Sequence, residues 1–599
     1  MRFLEDVPRF VFFTGKGGVG KTSLACATAL HLAETGRRVL LVSTDPASNL
    51  GQVFEQRIGN SITAITGVSG LDALEIDPDS AAEQYRERII GPVRGLLPQA
   101  EIDAVTEQLS GSCTTEIASF DEFTGFLGQD ASASAYDHVL FDTAPTGHTI
   151  RLLKLPGDWT GFIDAGGEAS CLGPMSGLEK QRDQYARAVA ALTDPDRTRL
   201  VLVARPQTTS LAEAARTAEE LSEIGIHPTH LVVNALLPNE PVTDPLADAV
   251  RIREASALAG LPHPLQLMPS DLVSLAPRNM IGLEALRTLF TETAAGPTES
   301  SAEDVPQLPP LEALVEELAA AGRGLVMCVG KGGVGKTTIA AAIALGLAER
   351  GNTVHLTTTD PAAHLDATIT ETAGLPTLTI SRIDPVRAIA DYRESVLATR
   401  GKGLDAEGRA ALAEDLMSPC NQEIAVFRQF SHLVVRAREE FVVVDTAPTG
   451  HTLLLMDTTG AYHRDLARSV APGVRYTTPL MRLQDPDYTR IIMVTLAEPT
   501  PVLEALQFRD DLARAGITPW AWVVNQSLSA ARPSSPLLRQ RAALESGPIA
   551  SVTDVATRVA AVPLLVDEPV GAERLRTVAS GAMPTRPTSD RRDLARETS

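Results

Sequence analysis

Short apolar runs alternate along this chain with longer segments in which apolar residues recur at helical spacing. Residues 9–13 form an apolar run of strand length that stops at a glycine, and residues 22–35 are rich in Ala and Leu at helical spacing. Further short runs lie at residues 38–42, 138–141, 199–203 and 231–233. Because apolar residues follow one another in these runs without alternating with polar ones, the runs are typical of strands that are buried on both faces. The pattern predicts an α/β fold, with a mainly parallel sheet and helices on both of its faces.

A second copy of the pattern follows the first. The sequence GKGGVGKT at residues 15–22 returns at residues 330–337, which is 315 residues later. The sequence DTAPTGHT at residues 142–149 returns at residues 445–452, where the offset has fallen to 303. The order of the shared motifs is kept while the offset shrinks. The second copy is therefore a shortened duplicate of the first.

The duplication predicts two homologous domains, at residues 1–290 and 325–580. Residues 291–324 are rich in Ala, Glu, Ser and Pro and are interpreted as a linker, with a short helix at 311–321. Polar residues and prolines from 581 to 599 predict a disordered tail.

Composition narrows the function classes. The net charge of −22 disfavours a broad basic surface, so no nucleic-acid partner is expected. No apolar run reaches the ~18–20 residues that span a bilayer, and the acidic start leads straight into a strand, unlike a signal peptide. The five cysteines are scattered and include no CxxC pair. A disulfide scaffold is therefore not expected, and a reducing cytoplasm is the predicted compartment.

The repeated glycine-rich loop predicts a nucleotide site in each domain. Glycines allow backbone N–H groups to surround phosphate, and the following helix adds its positive end. Lys21 and Lys336 are expected to reach the β- and γ-phosphates of ATP, and the hydroxyls of Thr22 and Thr337 to bind Mg²⁺. The remaining predicted nucleotide-binding residues of the loops are Gly15, Gly17, Gly18, Gly20, Ser23, Gly330, Gly332, Gly333, Gly335 and Thr338. We therefore expect two P-loop NTPase domains related by a pseudo-twofold axis.

Two aspartates in each domain stand at the ends of predicted strands. Asp45 and Asp360 precede proline and are candidates for activating water or for a switch segment. Asp142 and Asp445 are placed like Walker B aspartates, which hold Mg²⁺ through water. The alternative for each of the four is a carboxylate that caps a loop.

Two further repeated pairs complete the nucleotide prediction. Lys16 and Lys331 are the early lysines that mark the deviant Walker A class, in which this lysine reaches across a dimer-like interface and stabilises charge on the other nucleotide. Here the other subunit would be the other half of the same chain. Asn234 and Asn525 follow late strands and are candidates for binding adenine edges, while a turn-forming asparagine fits the pattern nearly as well.

The paired loops together with the paired DTAPTGHT sequences resemble the bacterial arsenical pump-driving ATPases, the soluble subunits of arsenite and antimonite efflux systems. The resemblance covers nearly the whole chain, and DTAPTGHT is highly specific for this family and its single-domain relatives. It implies an ATPase that uses ATP and Mg²⁺, docks on an integral membrane pump and can accept metalloid from a small chaperone. It also implies a monomer in the cytoplasm that reaches the inner face of the membrane only through the pump.

The cysteines extend the resemblance. Cys113 and Cys420 occupy equivalent positions in a shared C-x-x-E-I-A-x-F pattern, and thiolates suit trivalent arsenic or antimony because both centres are soft. The alternative is that a free cysteine is a small buried hydrophobe, the role we assign to Cys26 and Cys328. A lone histidine is likewise more often structural than ligating. The resemblance implies six metalloid ligands, namely Cys113, His148, Cys171, Ser418, Cys420 and His451.

These residues suggest how the activity is coupled. Metalloid would bridge the halves, close their interface and deliver Lys16 and Lys331 across it, and hydrolysis would reopen it. One alternative is a targeting ATPase for tail-anchored membrane proteins, whose single-domain members form homodimers, often zinc-linked through CxxC, with a Met-rich groove. Another is a spatial-positioning ATPase that binds membrane or DNA. The duplicated chain, the absent CxxC pair, only 10 Met and the acidic charge favour the metalloid-stimulated ATPase.

Overall fold

The computed structural model places two compact units in one chain. Unit 1 comprises Met1–Ser300 and Ser534–Arg541, and unit 2 comprises Ser301–Pro533 and Ala542–Ser599. The residues that the structure describes are 1–45, 50–91, 94, 102, 112–127, 135–143, 186–239, 242–291, 305–359, 375–383, 385–399, 402, 405, 408–409, 412, 416, 419–446 and 478–581. The predicted tail after residue 581 lies outside them.

Unit 1 is built on an eight-stranded sheet. Its strands are β1 (Phe10–Thr14), β2 (Val39–Ser43), β3 (Thr63–Ala64), β4 (Leu71–Glu75), β5 (His138–Asp142), β6 (Thr198–Ala204), β7 (His230–Leu236) and β8 (Ser270–Ser274). They lie in the order β3-β4-β2-β5-β1-β6-β7-β8, and every neighbouring pair is parallel except β3 and β4. The central position of β1 places the loop that follows it at the middle of the carboxyl edge, where ligands bind in such sheets.

Both faces of this sheet are covered. Phe10 and Phe12 of β1 belong to one apolar cluster, which includes helix residues 211–221, whereas Val11 and Phe13 belong to another, which includes residues 24–33. Successive strand residues point to opposite faces, so a strand buried on both faces must be apolar throughout. The helices of unit 1 are α1 (Lys21–Glu34), α2 (Leu50–Val53), α3 (Pro78–Ile90), α4 (Ser112–Leu127), α5 (Thr208–Glu223), α6 (Pro245–Ala259), α7 (His263–Gln266) and α8 (Leu283–Thr288).

Unit 2 repeats this sheet. Its strands are β9 (Gly324–Val329), β10 (Val354–Thr358), β11 (Leu378–Arg382), β12 (Phe441–Asp445), β13 (Thr489–Leu496), β14 (Ala521–Ser527) and β15 (Val559–Pro563). They lie in the order β11-β10-β12-β9-β13-β14-β15, and all neighbours are parallel. This is the strand order of unit 1 without a counterpart of β3 in the described part of the chain. The prediction of two homologous α/β domains with mainly parallel sheets is confirmed.

Helices again flank the sheet of unit 2. They are α9 (Leu311–Ala319), α10 (Lys336–Glu349), α11 (Pro385–Thr399), α12 (Pro419–Arg436), α13 (Pro479–Leu483), α14 (Pro499–Arg514), α15 (Leu528–Ala531), α17 (Ser546–Thr553) and α18 (Ala572–Ser580). Between α15 and α17 lies α16 (Pro536–Ala543), whose residues as far as Arg541 belong to unit 1. Among the helices described in either unit, none combines the length and the apolar character that crossing a membrane requires.

Helix α9 lies within the predicted linker at 291–324 but belongs to the core of unit 2. Leu311, Leu314, Val315 and Leu318 are each 3% exposed or less and share one apolar cluster with residues of α10 and α18. Their spacing places them on one face of a helix. Burying four aliphatic side chains contributes roughly 6–12 kcal/mol before the entropy of ordering is subtracted. The predicted linker therefore contains a structural element of the second unit.

One carboxylate of unit 1 caps a helix and also binds the residues that lead into another. Asp244 is the N-cap of α6, where its Oδ1 accepts hydrogen bonds of 2.7 and 3.0 Å from two backbone N–H groups of the first turn. Its Oδ2 accepts from the N–H of Ser535 at 2.6 Å and from the N–H of Ser534, both just before α16. Burial alone would raise the pKa of Asp244, but these donors outweigh it and the net shift is downward. Asp244 therefore fastens the segment Ser534–Arg541 to unit 1.

Asp244→Asn should destabilise unit 1 by about 2–3 kcal/mol at pH 7, because an amide nitrogen would then face N–H donors. Since the folded pKa is lowered, the carboxylate contributes fully above its unfolded value of about 3.9, and the contribution is lost as the pH falls through the folded pKa. Hydrogen exchange of the 534–541 amides measures the effect. The difference between wild type and variant in protection from exchange should become smaller below about pH 4. Asp248→Asn, at a half-exposed acid of α6, is the control. Equal protection of the 534–541 amides from exchange in Asp244→Asn and Asp248→Asn would contradict the prediction.

Two candidate nucleotide sites

The first glycine-rich loop joins β1 to α1 at the carboxyl edge of the sheet of unit 1. Gly18 and Gly20 have φ values of +79° and +92°, which favour glycine. A Cβ on Gly15 would lie 2.2 Å from Val203 O, and a Cβ on Gly20 would lie 2.2 Å from Asn234 Nδ2. Glycine is therefore required both by the backbone conformation and by the lack of space. A loop this closely packed keeps its backbone N–H groups in place for an anion.

The second loop, between β9 and α10, has the same geometry. Gly333 and Gly335 have φ values of +86° and +91°. A Cβ on Gly330 would lie 2.3 Å from Val494 O, and one on Gly335 would lie 2.1 Å from Asn525 Nδ2. The structure therefore holds two loops of nearly identical shape, each on its own sheet.

The other predicted loop residues occupy matching places. Gly17 and Gly332 are buried within their loops, while Ser23 and Thr338 are half-buried in the first turns of α1 and α10. The first turn of a helix presents unsatisfied N–H groups and the positive end of the helix dipole, which together favour phosphate. These four residues stay predicted nucleotide contacts, at positions that suit the role.

The lysines predicted to reach phosphate are held against their own loops. Lys21 Nζ donates to Lys16 O at 3.2 Å, and Lys336 Nζ donates to Lys331 O at 3.0 Å. Both side chains are buried at the start of a helix. An ammonium fixed by a carbonyl of the loop is well placed to pair with phosphate cradled by the same loop.

The hydroxyl and the carboxylate predicted to hold Mg²⁺ are in contact in both units. Thr22 Oγ1 donates to Asp142 Oδ2 at 2.7 Å, and Thr337 Oγ1 donates to Asp445 Oδ2 at 2.8 Å. Each aspartate is the last residue of a buried strand beside the strand that leads into the loop. Mg²⁺ is commonly bound by one or two protein oxygens together with phosphate and water. The oxygen donors present in each unit therefore fit this cation.

The threonine after each of these aspartates has a role that the sequence analysis missed. Thr143 Oγ1 donates to Phe13 O, and Thr446 Oγ1 donates to Cys328 O, both at 2.8 Å. The acceptors lie on the strands that precede the glycine-rich loops. These bonds therefore fix the distance between the aspartate and the loop. The repetition of this threonine in both DTAPTGHT sequences was the available clue.

The repeated asparagines connect the next strands to the loops. Asn234 Nδ2 donates to Val19 O, and Asn525 Nδ2 donates to Val334 O, both at 2.9 Å. Each amide thus supports the residue before the last glycine of its loop. Because the amide nitrogen of each asparagine already makes this contact, an adenine edge would have to contact the other atoms of the side chain. Binding of adenine by these residues stays a prediction.

A repeated buried glutamate organises the segment that follows each asparagine. Glu254 Oε2 accepts from Leu237 N at 2.9 Å, and Glu545 Oε1 accepts from Leu528 N at 2.7 Å. The residue directly after each asparagine has a left-handed backbone, with φ of +62° and +54°. Burial raises the pKa of Glu254, and the Leu237 N–H partly opposes that shift. Sequence reasoning missed both glutamates, which share the 291-residue offset of the asparagines.

The predicted catalytic residues differ in how they are placed. Asp45 is buried just after β2, where its N–H donates to Ser43 Oγ at 3.3 Å. Lys16 is exposed at the tip of its loop, and Lys331 is half-buried. Asp360 lies outside the described residues. The catalytic roles of these four residues stay predictions.

The predicted metalloid ligands fall mostly outside the part of the chain that the structure describes. Cys113 is the second residue of α4 and Cys420 is the second residue of α12, so the structure assigns the two cysteines equivalent backbone positions. Their side chains are not among those described. Within the described residues no group of three His, Cys, Asp or Glu side chains could hold a metal ion. The predicted ligands that lie outside are His148, Cys171, Ser418 and His451.

The two remaining cysteines are buried, as predicted. Cys26 on α1 and Cys328 on β9 have no exposed surface. Burial, with Asp142 and Glu75 adding to it, raises the pKa of the Cys26 thiol. Burial, together with Asp445, raises the pKa of the Cys328 thiol. Both thiols therefore stay protonated at neutral pH and behave as small apolar side chains.

Comparison with known proteins agrees with this geometry. The family model described as anion-transporting ATPase matches residues 8–165, 161–292, 324–482 and 474–583. The chain belongs to the anion-transporting ATPase family. As a member of that family it is an ATPase.

Two relatives named arsenical pump-driving ATPases match this anion-transporting ATPase along nearly its whole length. An arsenical pump-driving ATPase of Escherichia coli is 56% identical over 581 residues, which is 96% of this chain and 99% of the relative. One from Acidiphilium multivorum is 56% identical over 585 residues, which is 97% of this chain and all of the relative. The ATPase GET3 of Kluyveromyces lactis is 32% identical over 261 residues, which is 38% of this chain and 72% of that protein. The resemblance to arsenical pump-driving ATPases is confirmed.

Proposed function

We propose that this ATPase energises the export of arsenite or antimonite through a membrane pump. The observation that carries the proposal is that relatives named arsenical pump-driving ATPases match the chain from end to end at 56% identity. GET3 relatives, which stand for the targeting alternative, cover 38% of the chain. A duplicated chain with two matched P-loops supports an activity in which two nucleotide sites work together.

The nucleotide chemistry follows from the contacts within each unit. The buried ammonium of Lys21 pairs with phosphate charge, and the loop N–H groups surround the same phosphates. Thr22 and Asp142 would hold Mg²⁺, with Thr337 and Asp445 as their counterparts in unit 2. When bound, Mg²⁺ would neutralise negative charge that develops on the phosphates during transfer. Asp45 is the residue that we assign to orienting the attacking water.

The metalloid is the cargo and the activator. Cys113 and Cys420 each lie in the first turn of a long helix, and the N-terminus of a helix favours the thiolate form of cysteine. Thiolates are the preferred ligands of soft trivalent arsenic and antimony. We assign the remaining ligand positions to His148, Cys171, Ser418 and His451.

Coupling between the sites is carried by the DTAPTGHT segments. One end of the first segment is Asp142, at the Mg²⁺ site, and six residues later comes His148. Binding of metalloid at one end biases the position of the other end, and by linkage ATP tightens metalloid binding to the same extent. Lys16 and Lys331 then act on nucleotide across the two halves. The ATPase works as a cytoplasmic monomer that docks on an integral membrane pump and can receive metalloid from a small chaperone.

Cys113→Ala should raise the antimonite concentration needed for half-maximal ATPase stimulation by about 100-fold. Loss of even an outer-shell partner costs 10–100-fold in metal affinity, and a direct ligand costs at least as much. The measurement is steady-state ATP hydrolysis across a titration of antimonite or arsenite, with Cys420→Ala as a second variant that should behave alike.

The control is Cys26→Ala, which removes a buried thiol that is not among the predicted metalloid ligands and should leave the stimulation unchanged. Undiminished stimulation in Cys113→Ala and Cys420→Ala would show that these thiols do not bind the activator. Stimulation of the wild type by an apolar helix, but not by metalloid, would instead support a targeting ATPase.

A further inference from the structure

The early lysine of unit 2 forms an ion pair within its own unit. Lys331 Nζ contacts Glu504 Oε1, on α14. The Lys331 side chain is 19% exposed and that of Glu504 is 5% exposed, so water screens this pair weakly. A charge-assisted contact of this kind holds the ammonium more firmly than a surface pair would.

Unit 1 has the same glutamate but a different ion pair. Glu213 lies 291 residues before Glu504, the offset that also relates Asn234 to Asn525. It is buried at the equivalent position of α5, and its Oε1 accepts from Arg216 Nη2 at 2.6 Å. Lys16 forms no ion pair with any residue that the structure describes and is exposed.

A single residue explains the difference. Arg216 lies one helical turn after Glu213, a spacing at which two side chains meet on a helix. The residue 291 positions later is Gln507, which carries no charge. The position one turn after Glu504 therefore offers no positive charge like that of Arg216, and a buried carboxylate is stabilised by a nearby cation. The nearby ammonium of Lys331 supplies it.

We infer that Glu504 is a positioning residue that retains the Lys331 ammonium inside unit 2, and that Gln507 allows it to do so. The inference rests on the proposed role of the early lysines in nucleotide hydrolysis. Before Lys331 can act on phosphate it must leave Glu504, whereas Lys16 has no such contact to break. The nucleotide that Lys331 serves is therefore engaged later than the nucleotide that Lys16 serves. The two nucleotide sites therefore differ, before nucleotide binds, in whether their early lysine is already held by a carboxylate.

The test measures the reactivity of individual lysines in the full chain without nucleotide. Brief treatment with acetic anhydride, followed by mass spectrometry, gives the acetylation rate of Lys331 relative to Lys16. An ammonium held by a carboxylate reacts more slowly, so we expect Lys331 to be protected in the wild type. Glu504→Gln and Gln507→Arg should each raise its rate about fivefold. Gln507→Arg is the sharper variant, because it leaves Glu504 in place and gives it the partner that Glu213 has.

The reciprocal variant tests the same cause in unit 1. Arg216→Gln removes the partner of Glu213, so Lys16 should become protected by about the same factor. Glu213→Gln is the control for Lys331, whose rate should not change. An unchanged rate of Lys331 in both Glu504→Gln and Gln507→Arg would overturn the inference.

A second measurement separates this inference from the proposed function. Basal ATP hydrolysis without metalloid should rise in Gln507→Arg, since Lys331 is then released. Suppose that Lys331 is protected from acetylation in the wild type but not in the variants, and that metalloid does not stimulate ATP hydrolysis. The positioning role of Glu504 would then stand, and the metalloid proposal would be contradicted. Stimulation by metalloid without any protection of Lys331 from acetylation would support the metalloid proposal and contradict the positioning role of Glu504.

Discussion

Replacing Asp142 and Asp445 together by asparagine should reduce ATP turnover by about 10²–10³-fold, as loss of one preorganised electrostatic contact typically does. Each carboxylate ends a buried strand and touches the hydroxyl of Thr22 or Thr337 at 2.7–2.8 Å. An amide keeps the shape of the side chain but not its charge, so Mg²⁺ would be held weakly. Steady-state hydrolysis over a range of Mg²⁺ concentrations measures the loss.

The matched control is Asp137→Asn, at an exposed carboxylate just before β5 that pairs with Arg38. Turnover in that variant should stay within twofold of the wild type, because surface ion pairs contribute little. If the double variant at Asp142 and Asp445 kept more than a tenth of wild-type turnover at every Mg²⁺ concentration, the assignment of these carboxylates to Mg²⁺ would be wrong.

Gly20→Ala combined with Gly335→Ala should weaken ATP binding by about 100-fold, the loss expected when a site is displaced by roughly 1 Å. A Cβ at these positions would lie 2.2 and 2.1 Å from the amide nitrogens of Asn234 and Asn525. Either the loop or the asparagine must move, and the moved loop no longer fits phosphate. Equilibrium titration with a fluorescent ATP analogue measures the affinity.

The chain offers a control with the same backbone and no contact. Gly36 and Gly351 have φ values of +88° and +83°, and a Cβ on either would meet nothing within 4 Å. The double variant Gly36→Ala and Gly351→Ala therefore carries comparable backbone strain but leaves the loops undisturbed. Equal loss of ATP affinity in the two double variants would show that backbone strain, rather than the collision with the asparagines, is responsible.

The parts of the fold that could be predicted are those that apolar pattern and repetition specify. The strand Phe10–Thr14 begins with four consecutive apolar residues because both of its faces are buried, and the P-loop that follows is recognisable because glycine is required there. The same reasoning located the helix in the predicted linker, which runs from Leu311 to Ala319. What it could not show is that this helix completes the core of unit 2, since amphipathic spacing gives a helix face but not its partner.

Buried polar residues were harder to predict. The sequence analysis gave Glu254, Glu504 and Glu545 no role, yet each is buried and binds a backbone N–H or a lysine. Their role depends on neighbours that are distant in the sequence, which no local pattern encodes. The same is true of Ser534–Arg541, which belongs to unit 1 although it follows the sheet strand Ala521–Ser527 of unit 2.

Unit 2 extends far enough toward the N-terminus that only a short stretch of sequence separates its first described residues from those of unit 1. Val305 and Leu308 already pack against the core of unit 2, and unit 1 is described as far as Thr291. Residues 292–304 are thirteen in number and span at most about 45 Å, however they are arranged. A tether this short gives each half a local concentration of its companion in the millimolar range. The rate of ATP hydrolysis per molecule should therefore not change when the protein is diluted.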